Sequence, residues 1–275
     1  MLLDNLIYGT FPDLPGSQQV VHKTTGISDK LEGWALHFYN DFGDCQNQDF
    51  CRSVTVNWYR EEQSEPLAAI TRVSQQGRDF SGRWGALLRH TAFLTENQYR
   101  QFFYEPIAIA PLLVSSGSSQ ELAAYGDLTI DAPESYNDFF QRLLELPIAD
   151  LKEDLLTLLK GSRLVLYSEI NNEYSDAYLH QLVSLLPFSF KREFDWSQFL
   201  FRANVGCGLS LVYSGRYEAP TGSKLSLTQS GSNCLAELDL LDGYIEDYLE
   251  LLGAALEQKD QSRLRELICD MPDPV

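Results

Sequence analysis

Arg78-Asp79-Phe80-Ser81-Gly82-Arg83-Trp84-Gly85-Ala86-Leu87-Leu88-Arg89-His90 gathers three arginines, an aspartate and a histidine in a chain that is otherwise strongly acidic. Two glycines punctuate its charged part, and the apolar run Ala86-Leu87-Leu88 resumes beyond His90 as Thr91-Ala92-Phe93-Leu94. This pattern predicts a tight turn entering a strand. Further β-prone runs lie upstream, Leu67-Ala68-Ala69-Ile70-Thr71-Arg72-Val73 and Val54-Thr55-Val56-Asn57-Trp58-Tyr59, preceded by Leu6-Ile7-Tyr8 and by Gly16-Ser17-Gln18-Gln19-Val20-Val21. Short β-branched and aromatic runs separated by turn residues predict a mainly antiparallel sheet. Helices are expected over residues 29–39, where Leu31, Trp34, Ala35 and Phe38 share a face, and over 96–104.

Beyond the small, polar stretch Ser115-Ser116-Gly117-Ser118-Ser119 the apolar period changes from two to 3.6. A domain boundary is therefore expected near residues 115–130, dividing a sheet-plus-helix unit (1–120) from a smaller α/β unit (121–275). In the second unit, Tyr136, Phe139, Phe140, Leu143 and Leu144 line one helical face, and Asp150 with Glu153 suggests a cap before Leu155, Leu156, Leu158 and Leu159. A buried strand over 163–168 precedes a helix starting near Ser175 and stopped by Pro187. Strands at 209–213 and 224–228 and a long amphipathic helix over 242–258 complete the pattern. The fold class expected is α+β, and the sheet unit of the first half, followed by a strand-helix unit ending in Leu185-Leu186-Pro187, resembles a longin-like arrangement by fold-level analogy.

Twenty-one basic against thirty-nine acidic residues give a formal charge of −18. That charge opposes binding to a phosphate backbone or an anionic membrane surface, so no nucleic acid and no membrane is expected as partner. The start of the chain lacks the basic segment and apolar core of a signal peptide, and no stretch reaches the ~18 apolar residues of a membrane span. Five cysteines at irregular spacing and no Asn-x-Ser/Thr acceptor argue against a secreted disulfide framework. A cytoplasmic location with reduced thiols follows.

Motifs for chemistry are sparse. Gly222-Ser223-Lys224 lacks the spacing of a P-loop, Gly206-Cys207-Gly208 lacks the third glycine of a dinucleotide fingerprint, and no Gly-x-Ser-x-Gly occurs. No cofactor is implied. His37, Cys45 and Cys51, around Asp44 and Asp49, are the densest group of soft ligands, but one loose pair without a second knuckle reads as a loop with two incidental thiols, not a zinc site. What remains is the opening segment. Asp79 is placed to pair with Arg78 or Arg83 across the Ser81-Gly82 turn, while Arg78 or Arg83 together with His90 form the candidate surface for an anionic partner group.

Three pieces of the chain resemble the N-terminal domain of the type-one GTPase-associated protein family of bacterial conflict systems. Tyr8-Gly9, followed by the run from Gly16 through Val20-Val21-His22-Lys23-Thr24-Thr25-Gly26-Ile27, is similar to its first hairpin. Gly82-Arg83-Trp84-Gly85 through His90 to Phe93-Leu94 resembles its Gly-Arg-x-Gly strand with a histidine. Leu182-Val183-Ser184-Leu185-Leu186-Pro187 with Lys191 to Phe199 resembles a third element, although Trp196-Ser197-Gln198 departs from the family's threonine pattern.

The resemblance implies a non-enzymatic adaptor or regulator acting beside a GTPase in a defence system. Two other readings stand next to it. One is a hydrolase or nucleotide-modifying enzyme, which requires Arg83 and His90 to line one pocket. The other is a self-assembling structural protein, because a long amphipathic helix completes a neighbour's core as readily as its own.

Overall fold

The computed structural model describes residues 1–16, 18–38, 53–62, 64–131, 134–160, 164–168, 173–192, 194–200, 209–213 and 238–269. The chain opens with strands β1 (Leu2–Gly9) and β2 (Gln19–Lys23), helix α1 (Asp29–Phe38), and strands β3 (Ser53–Tyr59), β4 (Leu67–Arg78) and β5 (Trp84–Thr95). Short helices α2 (Glu96–Arg100) and α3 (Ser119–Ala123) and the two-residue strand β6 (Leu128–Thr129) follow. Next come α4 (Tyr136–Leu143), α5 (Ile148–Leu159), β7 (Leu164–Ser168), α6 (Glu173–Leu185) and α7 (Phe188–Lys191). Strands β8 (Trp196–Leu200) and β9 (Leu209–Tyr213) and helices α8 (Leu238–Glu257) and α9 (Gln261–Cys269) complete the described elements.

The architecture is α+β. One sheet runs in the order β2-β1-β5-β4-β3-β8-β9-β7, with β6 paired to β1. The first five strands are antiparallel, whereas β8, β9 and β7 are mutually parallel. The two regimes meet where β3 pairs antiparallel with β8, through Thr55↔Ser197 and Val56↔Trp196. The sheet thus continues across the boundary expected near 115–130.

All seven residues of β3 are buried, which explains its composition. Val54, Val56 and Trp58 point to one face, and Trp58 meets Tyr99 and Tyr104 there, with ring centroids 6.0 and 6.5 Å apart. Ser53, Thr55, Asn57 and Tyr59 take the other, where Tyr59 meets Trp34 of α1 edge-on at 5.1 Å. β3 is thus packed between α1 and the segments that follow β5. On the α1 side, Thr91, Thr71 and Thr55 occupy one register row across β5, β4 and β3, and Ser197 and Ser210 hold the next two positions on β8 and β9. The buried Thr71 and Thr91 hydroxyls satisfy each other at 2.8 Å.

The helical half is seated through a sharp corner. The helix expected over 96–104 is cut to Glu96–Arg100, capped by Thr95 and Gln98 in a reciprocal box, because Phe103 and Tyr104 turn left-handed at φ 55° and 56°. Left-handed backbone at a bulky aromatic costs on the order of 1–3 kcal/mol per residue, so packing must hold it. Phe103 stacks on Phe139 at 4.2 Å, and Tyr104 meets Phe188 at 5.1 Å. Between these rings lies the Lys191 ammonium, whose side chain is 2% exposed. It donates to the carbonyls of Ser184 (3.0 Å) and Phe103 (3.4 Å) and faces Glu105 Oε1 at 3.6 Å. The Lys191 carbonyl in turn accepts from the Trp58 indole at 3.3 Å, tying this knot to the sheet.

Other expectations shift locally. α5 starts at Ile148 with Pro147 at its cap position and no side-chain cap bond, so the Asp150–Glu153 cap is not used; the Asp150 amide donates to the Pro147 carbonyl at 3.3 Å instead. α6 begins at Glu173, α8 already at Leu238, and α9 has no counterpart in the sequence reading. The strand expected at 224–228 lies outside the described residues.

Burial pushes the Lys191 ammonium down to about 8, against the pull of Glu105, so it remains charged at neutral pH. Lys191→Met is therefore expected to cost about 3–5 kcal/mol, because Glu105 is left buried without its counter-charge. Lys191→Met with Glu105→Gln should recover a large part of that loss. Urea unfolding of the two variants checks both.

Candidate functional site

β4 and β5 stay paired as far as Arg78↔Trp84, whereas β1 leaves β5 at Gly9↔Leu88 and β3 meets β4 only as far as Ser53↔Val73. Among the described residues the two strands thus run on as a two-stranded arm of roughly 15 Å, at about 3.3 Å per residue. The Arg78–Arg83 segment is its tip. The backbone closes there through Asp79 N–H to the Arg83 carbonyl (2.8 Å) and Gly82 N–H to the Asp79 carbonyl (2.9 Å), with Gly82 at φ 81°.

The Asp79 carboxylate organises this turn. It accepts from the Ser81 hydroxyl at 2.6 Å, the Arg83 amide at 2.9 Å and Arg83 Nε at 3.1 Å. The Ser81 hydroxyl, followed by the Arg83 amide and guanidinium, holds the carboxyl down to about 2. Arg78 donates to the Gly82 carbonyl at 2.8 Å. The expected Asp79–Arg83 pair is thus present, but on the surface: the Arg83 side chain is 77% exposed and Phe80 58%. A solvent-exposed pair of this kind orders a turn and adds little to global stability.

His90 sits elsewhere and is 0% exposed. In β5 it lies between Ile7 of β1 and Arg72 of β4. The Val114 amide donates to its Nδ1 at 2.9 Å, so the ring proton is on Nε2, which meets Asn5 Oδ1 at 3.2 Å. Tyr125 closes over the ring edge-on at 5.1 Å. Neighbouring side chains hold the same covering segment: Arg72 donates to the Leu113 carbonyl (2.8 Å), Gln76 to the Ser115 carbonyl (2.9 Å), and Ser119 is fixed by Asp13. His90 is one clip in a row that straps residues 110–119 across the sheet. Burial, reinforced by the charges of His22 and Arg72, pushes its imidazole down to about 3.

Arg83 and His90 are seven residues apart on one extended stretch, or about 23 Å. They do not line one pocket, and His90 does not join Arg78 and Arg83 as a binding surface. Among the described residues no group of three or more His, Cys, Asp or Glu is placed to hold a metal. His37 is exposed on the last turn of α1, while Cys45, Cys51 and the glycine stretches at 206–208 and 222–224 lie outside the described residues. No described helix is long and apolar enough to cross a membrane.

Two displaced titrations were not foreseen as sites. One is Lys191. The other is Asp195, which burial pushes up to about 6 although it accepts the Trp58 amide at 2.8 Å and feels Arg60. Both stand in the stretch Lys191-Arg192-Glu193-Phe194-Asp195, part of the third family-like element, and nothing local in that sequence shows that either side chain will be buried. No protein-family model matches the chain, and no curated protein is significantly similar to it.

The folded pKa of His90 lies below its ordinary 6.5, so the neutral ring favours the fold above that pH and this contribution drains away as pH falls toward 3. Between pH 7 and pH 5 the native protein should lose about 2 kcal/mol more than a His90→Gln variant. At pH 7 the variant itself should be less stable by about 1–3 kcal/mol, since the Val114 amide loses its acceptor. Denaturant midpoints at the two pH values report both.

Proposed function

We propose that this chain is a non-catalytic docking component that acts with a GTPase in a bacterial conflict system, in the cytoplasm and without cofactor. The observation that supports a binding role is the fate of the polar candidates: His90 is enclosed with both ring nitrogens bonded, and Arg83 is closed onto Asp79 at the end of an arm. A general acid or base must reach substrate, and a group sealed between Val114, Asn5 and Tyr125 does not. The hydrolase reading required both residues in one pocket, and about 23 Å of strand separates them. The tip, by contrast, has what a contact element needs: a fixed backbone, an exposed aromatic and arginine.

The GTPase as partner and the defence setting rest on the three family-like segments around Tyr8-Gly9, Gly82-Arg83-Trp84-Gly85 and Leu186-Pro187. The charge of −18 is consistent with a protein partner and disfavours nucleic acid or an anionic membrane. The test is reconstitution: the gene should stand beside one for a GTPase, and the two purified proteins should form a complex at low salt. Two folded proteins that pass each other without binding would overturn the reading.

A further inference from the structure

The arm tip and the outer face of α8 are chemically complementary. At the tip, Phe80 is 58% exposed between Arg78 and Arg83, and the Asp79 cage holds the turn in one shape. On α8, Tyr244 (38% exposed) and Leu251 (41%) lie on one stripe with Asp247 between them, and the exposed Glu250 flanks Leu251. Spacings of three, four and seven residues put Tyr244, Asp247 and Leu251 on one side of the helix over about 10 Å. The neighbouring side of the helix is spent on the core through Ile245, Tyr248, Leu249, Leu252, Ala255 and Leu256, so the stripe runs along the rim of the buried face. An apolar stripe edged by carboxylates is what an aromatic flanked by arginines fits.

We propose that the β4–β5 arm of one copy docks on the α8 stripe of a second copy, Phe80 seating between Tyr244 and Leu251 while Arg78 and Arg83 face Asp247 and Glu250. This goes beyond the docking role above and stands without any GTPase. A second copy is the occupant because one sequence carries both halves of the contact, arginines beside Phe80 at the tip and the exposed Asp247 and Glu250 on α8, so the attraction is local to the two patches. The contact joins two different patches, so it closes as a reciprocal pair or propagates head to tail. The like net charges oppose it over a Debye length of about 30 Å at 0.01 M salt and far less over about 8 Å at 0.15 M. Association should therefore be stronger at the higher of these two salt concentrations.

The experiment is sedimentation or light scattering of the intact chain across a dilution series at 0.15 M salt. The native protein should associate with concentration, and Phe80→Asp should weaken that at least about tenfold, as loss of a central aromatic anchor does. Asp247→Lys/Glu250→Lys should weaken it equally. All three positions are exposed, and circular dichroism confirms that the variants fold. Mixing decides the matter: Phe80→Asp keeps its helix stripe and the double variant keeps its arm, so together they should form a species of twice the 31.2 kDa chain mass that neither forms alone. A native protein monomeric at every concentration, association indifferent to Phe80, or an inert mixture would each overturn the proposal.

Discussion

The interaction on which the arrangement depends is the ammonium of Lys191, sealed beside Glu105 where the helical half meets the sheet. It donates to the Ser184 and Phe103 carbonyls and pairs with the Glu105 carboxylate at 3.6 Å, and the rings of Phe188 and Phe139 lie 5.4 and 5.9 Å away. An ion pair taken out of water rarely adds net stability over an apolar substitute, because desolvation consumes most of the attraction. Its effect is on geometry. The Phe103 carbonyl that it holds belongs to the left-handed corner, which sets Tyr99 and Tyr104 against Trp58 and Phe103 against Phe139 of α4.

The same logic, on a smaller scale, governs the strap over residues 110–119. That segment has one short 3-10 turn, Ala110–Leu112, and leaves backbone groups without ladder partners. Arg72, His90 and Gln76 supply those partners from the sheet, side chain to main chain. A buried neutral histidine suits this position because Nδ1 accepts an amide while Nε2–H donates to Asn5, a combination that neither lysine nor a carboxylate provides.

Much of the fold is legible in the sequence where local periodicity decides it. The strands around Val54, Leu67 and Leu87, the helices beginning at Asp29 and Tyr136, and the stop at Pro187 follow from period and punctuation alone. Long-range covalent distance hides the rest. Nothing near Lys191 shows that Glu105 will face it, and nothing near Glu96 shows that the helix will break at Arg100, because Phe103 and Tyr104 are ordinary helix residues until Phe139 and Phe188 arrive. The tip was legible as a turn with an Asp79–Arg83 pair, but its exposure was not, since the sequence does not say how far β4 and β5 outrun their neighbours. His90 was read as a ligand-facing group for the same reason: the amide that claims it belongs to Val114, in a segment without a motif.

The seam between β3 and β8 has a bearing on synthesis. Thr55 and Val56 find Ser197 and Trp196 only after some 140 further residues have left the ribosome, which at about 5–20 residues per second is on the order of 7–30 s. During that interval β3 is the outermost strand of a nascent antiparallel sheet, with a free row of amides and carbonyls beside Val54, Val56 and Trp58. An unprotected edge of that composition invites pairing with another growing chain. On a polysome, the pace at which residues 57–195 are made sets how long that hazard lasts, and slow translation of the helical half would tax the protein more than slow translation of its first strands.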